Sequence, residues 1–151
     1  MRKTLTVLFT IALMLAAAVP ASADPAESST TVVKDFVEAI TDTFPCGGET
    51  YDITTVENGV LHTTTKDGTL HLTGTFTGTF AAEPSDGTGT SYTGHFTVWF
   101  GANENTSNVA ATFTFHVTAT GDDGSRVSQQ ATEHFSLSAT GTLNMFMKLV
   151  C

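Results

Sequence analysis

The clearest feature of the chain is a strict alternation of apolar and polar positions between Leu70 and Phe80. Every even position in this stretch is Leu, Gly or Phe, and every odd position is His or Thr. A period of two places successive side chains on opposite faces of a β-strand, so the stretch predicts a strand with one buried face and one solvated face. The same alternation recurs along the rest of the chain and predicts an all-β protein.

Turn signals divide the patterned region into seven predicted strands. They cover about 36–44, 50–65, 69–82, 91–101, 109–120, 126–140 and 143–150. Asp67-Gly68 is a hairpin signal between the second and third strands. Residues 32–44 fit a helical stripe as well as a strand face, and we favour the strand. Asn58-Gly59 fits a hairpin turn or a bulge within one long strand, and we favour the bulge.

An export signal precedes the patterned region. A positively charged start is followed by an apolar run, Leu5 to Val19, and by Ala21-Ser22-Ala23, which fits the small-residue cleavage rule. The run is shorter than the ~20 residues of a membrane span, so we expect secretion into the extracellular space without membrane insertion. The expected division is a signal peptide at 1–23, a flexible N-terminal segment at 24–31 and a single β-barrel domain at 32–151.

The two cysteines favour a barrel. Exported chains with an even number of cysteines usually form disulfides, so we predict a bond between Cys46 and Cys151. In an antiparallel meander of seven strands the first and last run in the same direction, which places both cysteines at one end. Their bond would make the terminal strands neighbours, as in a closed or nearly closed β-barrel; the alternative is a β-sandwich. A hairpin at Asn58-Gly59 would give eight strands and separate the cysteines too far to bond.

The charge of the chain excludes several classes of partner. Its formal net charge is −9, and loss of the signal peptide leaves four basic residues against fifteen acidic ones, a net charge of −11. Nucleic-acid binding depends on Lys and Arg at phosphates, so nucleic acid is not an expected partner. An anionic membrane surface is disfavoured for the same reason. The charge is typical of an extracellular protein that resists association with its neighbours.

Several motifs occur here in the same order as in a group of small exported proteins. They are PCGGE, YDITTVENGVLH, TGTFTGTF, YTGHFTVW, ATGDDGSR, EHFSLSATG and a C-terminal Cys. Over nearly all of 36–151 the chain therefore resembles small secreted proteins of actinobacteria that have no assigned activity. The resemblance implies neither an activity nor catalytic residues.

Phenylalanines and glycines share the predicted inward face. The set is Phe76, Phe80, Phe96, Phe100, Phe113, Phe115 and Phe135 with Gly74, Gly78 and Gly94. We favour packing of the rings over the missing side chains, and the alternative is a cavity for a small apolar ligand. We expect Phe96, Phe113 and Phe115 to be nearly fully buried.

Two polar residues on the sixth strand share the inward face. Gln129 and Glu133 alternate there with apolar residues. A buried carboxylate is costly unless it is paired, and Lys148 or Arg126 are the candidate partners of Glu133. A bulge or an edge position would instead leave Glu133 in water. The candidate ligand-binding residues are Glu133, Gln129, Phe113 and Phe135, with Glu133 as a polar anchor or acid/base group.

The outward face carries a weak metal candidate. His95 and His116 fall nearly opposite each other on adjacent predicted strands, but the pattern supplies no third ligand. We therefore predict neither a metal site nor a cofactor. Recognisable motifs of hydrolases, metalloproteases, phosphate loops and EF-hands do not occur, so we assign no catalytic residue.

The pattern favours binding over catalysis. The leading hypothesis is a secreted binding module that holds a small apolar ligand or an extracellular partner. The alternatives are a cavity-type enzyme, such as a cyclase-like or dirigent-like barrel, and a structural surface protein with a filled core. An interior cavity above roughly 300 Å³ lined by Glu133 would favour the first two. The pattern identifies neither a ligand nor an oligomeric state.

Overall fold

The protein is a single antiparallel sheet of seven strands. The computed structural model describes residues 26–44, 46 and 48–151, so the expected signal peptide lies outside the described residues. Each strand pairs with the next one in sequence, which confirms the predicted all-β meander. The strands are β1 Glu27–Thr43, β2 Thr50–Lys66, β3 Thr69–Pro84, β4 Tyr92–Glu104, β5 Asn108–Gly121, β6 Arg126–Ser138 and β7 Leu143–Val150. Within the described ranges no helix is long and apolar enough to cross a membrane.

The first strand runs from Glu27 to Thr43 and is interrupted only by a bulge at Asp35, so residues 32–43 belong to a strand and not to a helix. It pairs with β2 from Glu27 to Thr43. Its start therefore lies within 24–31, the stretch for which the sequence predicts a flexible segment. Thr30 and Thr31, opposite His62 and Leu61, are β-branched residues that suit an extended ladder.

A β-bulge lies opposite Asn58. The register of β1 shifts between Val33 and Phe36, while β2 runs through Asn58 and Gly59 without a turn. Asp35 takes a positive φ of 49°, and its backbone N–H donates a 3.1 Å hydrogen bond to Oδ1 of Asn58. The predicted single long strand is therefore correct, but the bulge predicted at Asn58-Gly59 is not formed in β2. The extra residue belongs to β1, and the Asn58 side chain accepts the hydrogen bond of its amide.

Four phenylalanine rings cover four glycines on one face of the sheet, which we call the inner face. The directly opposed pairs are Gly59–Phe76, Gly74–Phe100, Gly78–Phe96 and Gly94–Phe80. A Cβ atom at any of these glycines would lie within 2.8 Å of the opposing ring. The rings therefore occupy the space that side chains would fill, as the packing interpretation predicts.

The buried core lies near the end of the sheet where β1 and β7 finish, which we call the disulfide end. Its members are Phe44, Tyr51, Phe80, Ala82, Tyr92, Phe96, Val98, Val117 and Ala119. The ring of Phe44 meets three of these rings edge-on, at centroid distances of 5.4 to 5.9 Å. Phe96 is 7% exposed, as expected. Phe113 and Phe115 are half-buried, contrary to expectation, because they lie towards the side that the core does not cover.

The sheet is joined at one end and open along its side. Cys46 and Cys151 form the predicted disulfide, with a Cα–Cα distance of 6.0 Å. No Cα atom of β1 lies within 8 Å of one in β7, although both strands are described in full. The expected closure of the barrel by pairing of these strands is therefore not formed. The disulfide does not require it, since Cys46 and Cys151 both lie beyond the ends of their strands.

Candidate functional site

The space between β1 and β7, which we call the gap, leaves part of the inner face uncovered. Three of the four candidate ligand-binding residues lie on that part. Glu133 is directly opposite Phe113 on β5 and Met147 on β7, and Phe135 follows two positions later on β6. Opposed residues of antiparallel strands project from the same face, so these side chains are neighbours. The predicted inward orientation of Glu133 is therefore correct.

The carboxyl group of Glu133 is half-buried and lacks the expected partner. Burial raises the pKa of Glu133 above its usual value. Lys148 is opposite Thr132 and Arg126 is opposite Thr120, so both basic side chains project from the outer face. Within the described chain Glu133 therefore stands among Phe113, Met147 and other apolar groups without an ion pair. Such a carboxyl group can anchor a polar or cationic group of a ligand, or transfer a proton.

Gln129 belongs to the disulfide end instead. Its Oε1 accepts a 3.0 Å hydrogen bond from the backbone N–H of Cys46. This contact joins β6 to the turn that follows β1, across a separation of 83 residues. The amide therefore holds the disulfide turn in place, and the structure does not bring Gln129 together with Glu133, four residues further along β6.

A second inner-face carboxylate, Glu57, is absent from the sequence prediction. It lies opposite Gly78 and Phe36 and is half-buried. Burial raises its pKa, repulsion by Glu38 adds to this, and a 3.1 Å hydrogen bond from the Thr55 hydroxyl opposes it. The alternation of Tyr51, Ile53, Gly59 and Leu61 along β2 could have placed Glu57 on this face.

The last strand exposes all of its apolar side chains. Leu143, Met145, Met147 and Leu149 face inward, opposite Leu137, Phe135, Glu133 and Ala131. These four β7 side chains are 45–62% exposed. On the other side of the gap, Phe36 of β1 also faces inward and is 49% exposed. An uncovered apolar surface beside a carboxyl group therefore borders the gap, and we call it the open side.

Two surface depressions lie away from Glu133. One of about 630 Å³ is bordered by strands β4, β5 and β6 and includes Thr93, His95, Thr118 and Arg126. Another, of about 380 Å³, lies between Glu49 and Asp86 in two loops. Both open to solvent, and neither includes Glu133, Phe113 or Phe135. Neither depression is the enclosed ligand cavity lined by Glu133 that the barrel hypothesis requires.

Three of the outward histidines take part in cross-strand polar pairs. His62 bonds Thr30 and His134 bonds Thr112, each at 2.9 Å, and His71 pairs with Asn103. His95 and His116 are offset by two positions on β4 and β5, so they are diagonal neighbours and not directly opposed. No group of three metal-ligating side chains occurs in the part of the chain that the structure describes.

The chain matches no protein-family model, no curated protein and no solved structure. Its function is therefore argued from the geometry of the open side.

Proposed function

We propose that the mature protein is a secreted binding module that holds a small apolar ligand or an extracellular partner against its open side. The observation that carries this proposal is the row of exposed, inward-facing residues of β7 beside the half-buried Glu133. Soluble proteins rarely expose a contiguous apolar patch unless it contacts something. The patch also lies on the face that forms the core elsewhere, so a ligand there continues the packing of the sheet.

Two features support an extracellular setting. The disulfide between Cys46 and Cys151 is intramolecular, and such bonds persist in oxidising compartments. The sequence also begins with the charged, apolar and small-residue stretches of an export signal. A strongly acidic chain is kept apart from anionic surfaces by charge repulsion.

The test is native mass spectrometry of the protein secreted by its own host. We expect a co-purifying small molecule in the wild type and its loss in Met147→Ala, because Met147 adjoins Glu133. Trp99→Ala is the matched control, since Trp99 is 46% exposed on the outer face of the central strand β4. Unliganded wild-type protein that also fails to bind apolar probes would contradict small-ligand binding.

A cavity-type enzyme is the second candidate. It is favoured by two inner-face carboxyl groups with raised pKa values, Glu57 and Glu133, since catalytic acids have pKa values shifted towards neutrality. In that case Glu133→Gln should abolish turnover of a captured ligand while leaving its binding intact. Equal turnover by the wild type and the variant would rule out Glu133 as the acid.

A structural surface protein is the third candidate. The four Gly–Phe pairs favour it, because they fill the inner face of β2, β3 and β4. It predicts that Met147→Ala changes neither ligand content nor any association of the secreted protein. The uncovered face of β7 is the observation that makes us prefer binding.

A further inference from the structure

We infer that the open side binds an extended polypeptide segment that alternates basic and apolar residues and pairs as an eighth strand between β1 and β7. This inference rests on the proposed binding function and identifies the class of partner. It draws on the direction of the two edge strands, the separation between them and the side chains that border the gap.

Strand direction calls for one intervening strand. In a meander of seven antiparallel strands, β1 and β7 run in the same direction. Direct pairing would therefore be parallel, unlike every other pairing in the sheet. A single strand that runs the opposite way could pair in the antiparallel mode with both edges, and it would give the even strand number of an up-and-down barrel.

The separation excludes direct pairing of β1 with β7. Neighbouring strands lie about 4.8 Å apart, so two strands that flank a third lie about 9.6 Å apart. β1 and β7 are further than 8 Å apart along their described lengths. At one end the disulfide holds the residues that follow β1 and β7 together, with the Cα atoms of Cys46 and Cys151 6.0 Å apart. An added segment would therefore enter from the opposite end, and the eight residues of β7 limit its paired length.

Three exposed apolar side chains lie among the polar ones on the outer margins of the gap. Val32 and Val37 on β1 and Phe146 on β7 project outward there. Each is 58–59% exposed. Alternate side chains of an added strand would lie between these margins, and apolar side chains would cover them.

The inner margins favour basic side chains. Glu38 of β1 projects inward diagonally across from Glu57, and Asp42 projects inward nearer the disulfide end, whereas Lys148, the basic residue of β7, projects outward. Lys and Arg would place a charge near these carboxylates while their aliphatic stems pack on Met145 and Met147. The preferred segment therefore carries basic residues inward and apolar residues outward, and its main-chain hydrogen bonds would contribute much of the affinity.

The test uses a fluorescent ten-residue peptide of alternating lysine and valine, measured by anisotropy with the purified mature protein. We expect saturable binding, and binding at least tenfold weaker for the glutamate–valine peptide. Two further peptides carry N-methyl groups on all lysine amides or on all valine amides. Because a strand between two edges uses both sets of amides, both should bind at least tenfold more weakly.

Variants locate the site. Val37→Ala and Phe146→Ala should each weaken peptide binding severalfold, and Trp99→Ala should leave it unchanged. The eighth-strand inference is overturned if the lysine–valine peptide does not saturate, or if either N-methylated peptide binds as well as the parent. If one N-methylated peptide still binds as well as the parent, the peptide adds to a single edge strand. If both still bind, the attraction is by charge alone.

Failure of the inference is distinguishable from failure of the proposed function. A co-purifying small molecule that depends on Met147, without peptide binding, would preserve the binding module and overturn the peptide partner. A concentration-dependent dimer that is lost in Phe146→Ala and is not displaced by the peptide would identify a second copy of the chain as the occupant. That result would also overturn the peptide partner.

Discussion

The disulfide end and the open side are built from the same alternating pattern, yet they differ in what covers their apolar side chains. At the disulfide end, Phe44 follows β1 and packs on the rings of Tyr51, Phe80 and Tyr92 in the buried core. On the open side, Phe36 and Met147 face the same interior but no described residue covers them to a similar extent. The pattern therefore determines which face is apolar, while chain closure determines whether that face is buried.

The largest effect is expected from the disulfide that joins the two regions. In the chain-entropy model, a bond that closes a loop across 105 residues stabilises the fold by ~4 to 5 kcal/mol. The double variant Cys46→Ser/Cys151→Ser should lose most of that free energy in urea unfolding. It should also widen the gap, because the hydrogen bond from Cys46 to Gln129 would then join the turn after β1 to β6 without the disulfide. An unchanged unfolding free energy would show that the disulfide end folds independently of the bond.

The next largest difference is expected between the stability losses caused by Phe→Ala substitutions at the disulfide end and on the open side. Phe96→Ala removes a ring that is 7% exposed and should cost ~3 to 5 kcal/mol. Phe113→Ala removes a half-buried ring and should cost about 1 to 2 kcal/mol, in proportion to the smaller area that it buries. Denaturant unfolding of both variants measures the difference. Equal losses would indicate that Phe113 is covered in solution and that the open side is not open.

The smallest effect is expected at Glu133. Burial raises the folded-state pKa of Glu133, so the folded protein holds the proton more tightly than the unfolded chain, whose pKa is about 4.3. The contribution of Glu133 to stability is therefore most favourable below that value and declines as the pH rises through the folded-state pKa. Glu133→Gln lacks the charge, so it should be slightly more stable than the wild type at pH 7 and equal to it near pH 3.5.

The control for that measurement is Glu27→Gln, since Glu27 is exposed at the start of β1. A loss of stability in Glu133→Gln at pH 7 would mean that the carboxylate makes a stabilising contact. An unchanged stability with loss of ligand capture would support its role as an anchor.

Local patterns predict the strands and turns well because each depends on neighbouring residues. Leu72, Phe80 and Phe96 are buried, as their positions in the apolar–polar alternation predict. Asp67 and Gly68 both take positive φ values, 49° and 71°, as a two-residue hairpin turn demands.

Closure and the site are less predictable because they depend on distant residues. Whether β1 and β7 meet depends on the curvature accumulated over seven strands, which no local pattern encodes. The partner of Gln129 lies 83 residues away, so its structural role could not be inferred from β6. The inward orientation of Glu133 was predictable from the alternation along β6. Lys148 could be excluded as its partner only once the register of β7 was known.

Residue-resolved amide hydrogen exchange of the free mature protein tests the central contrast most directly. Edge strands leave every second amide unpaired, so the gap-facing amides of β1 and β7 should exchange rapidly, while both amide sets of β3, β4 and β5 remain protected. Addition of the lysine–valine peptide should slow the gap-facing amides. Protection of those amides in the free protein at the level of β4 would show that β1 and β7 pair, and would contradict the open side.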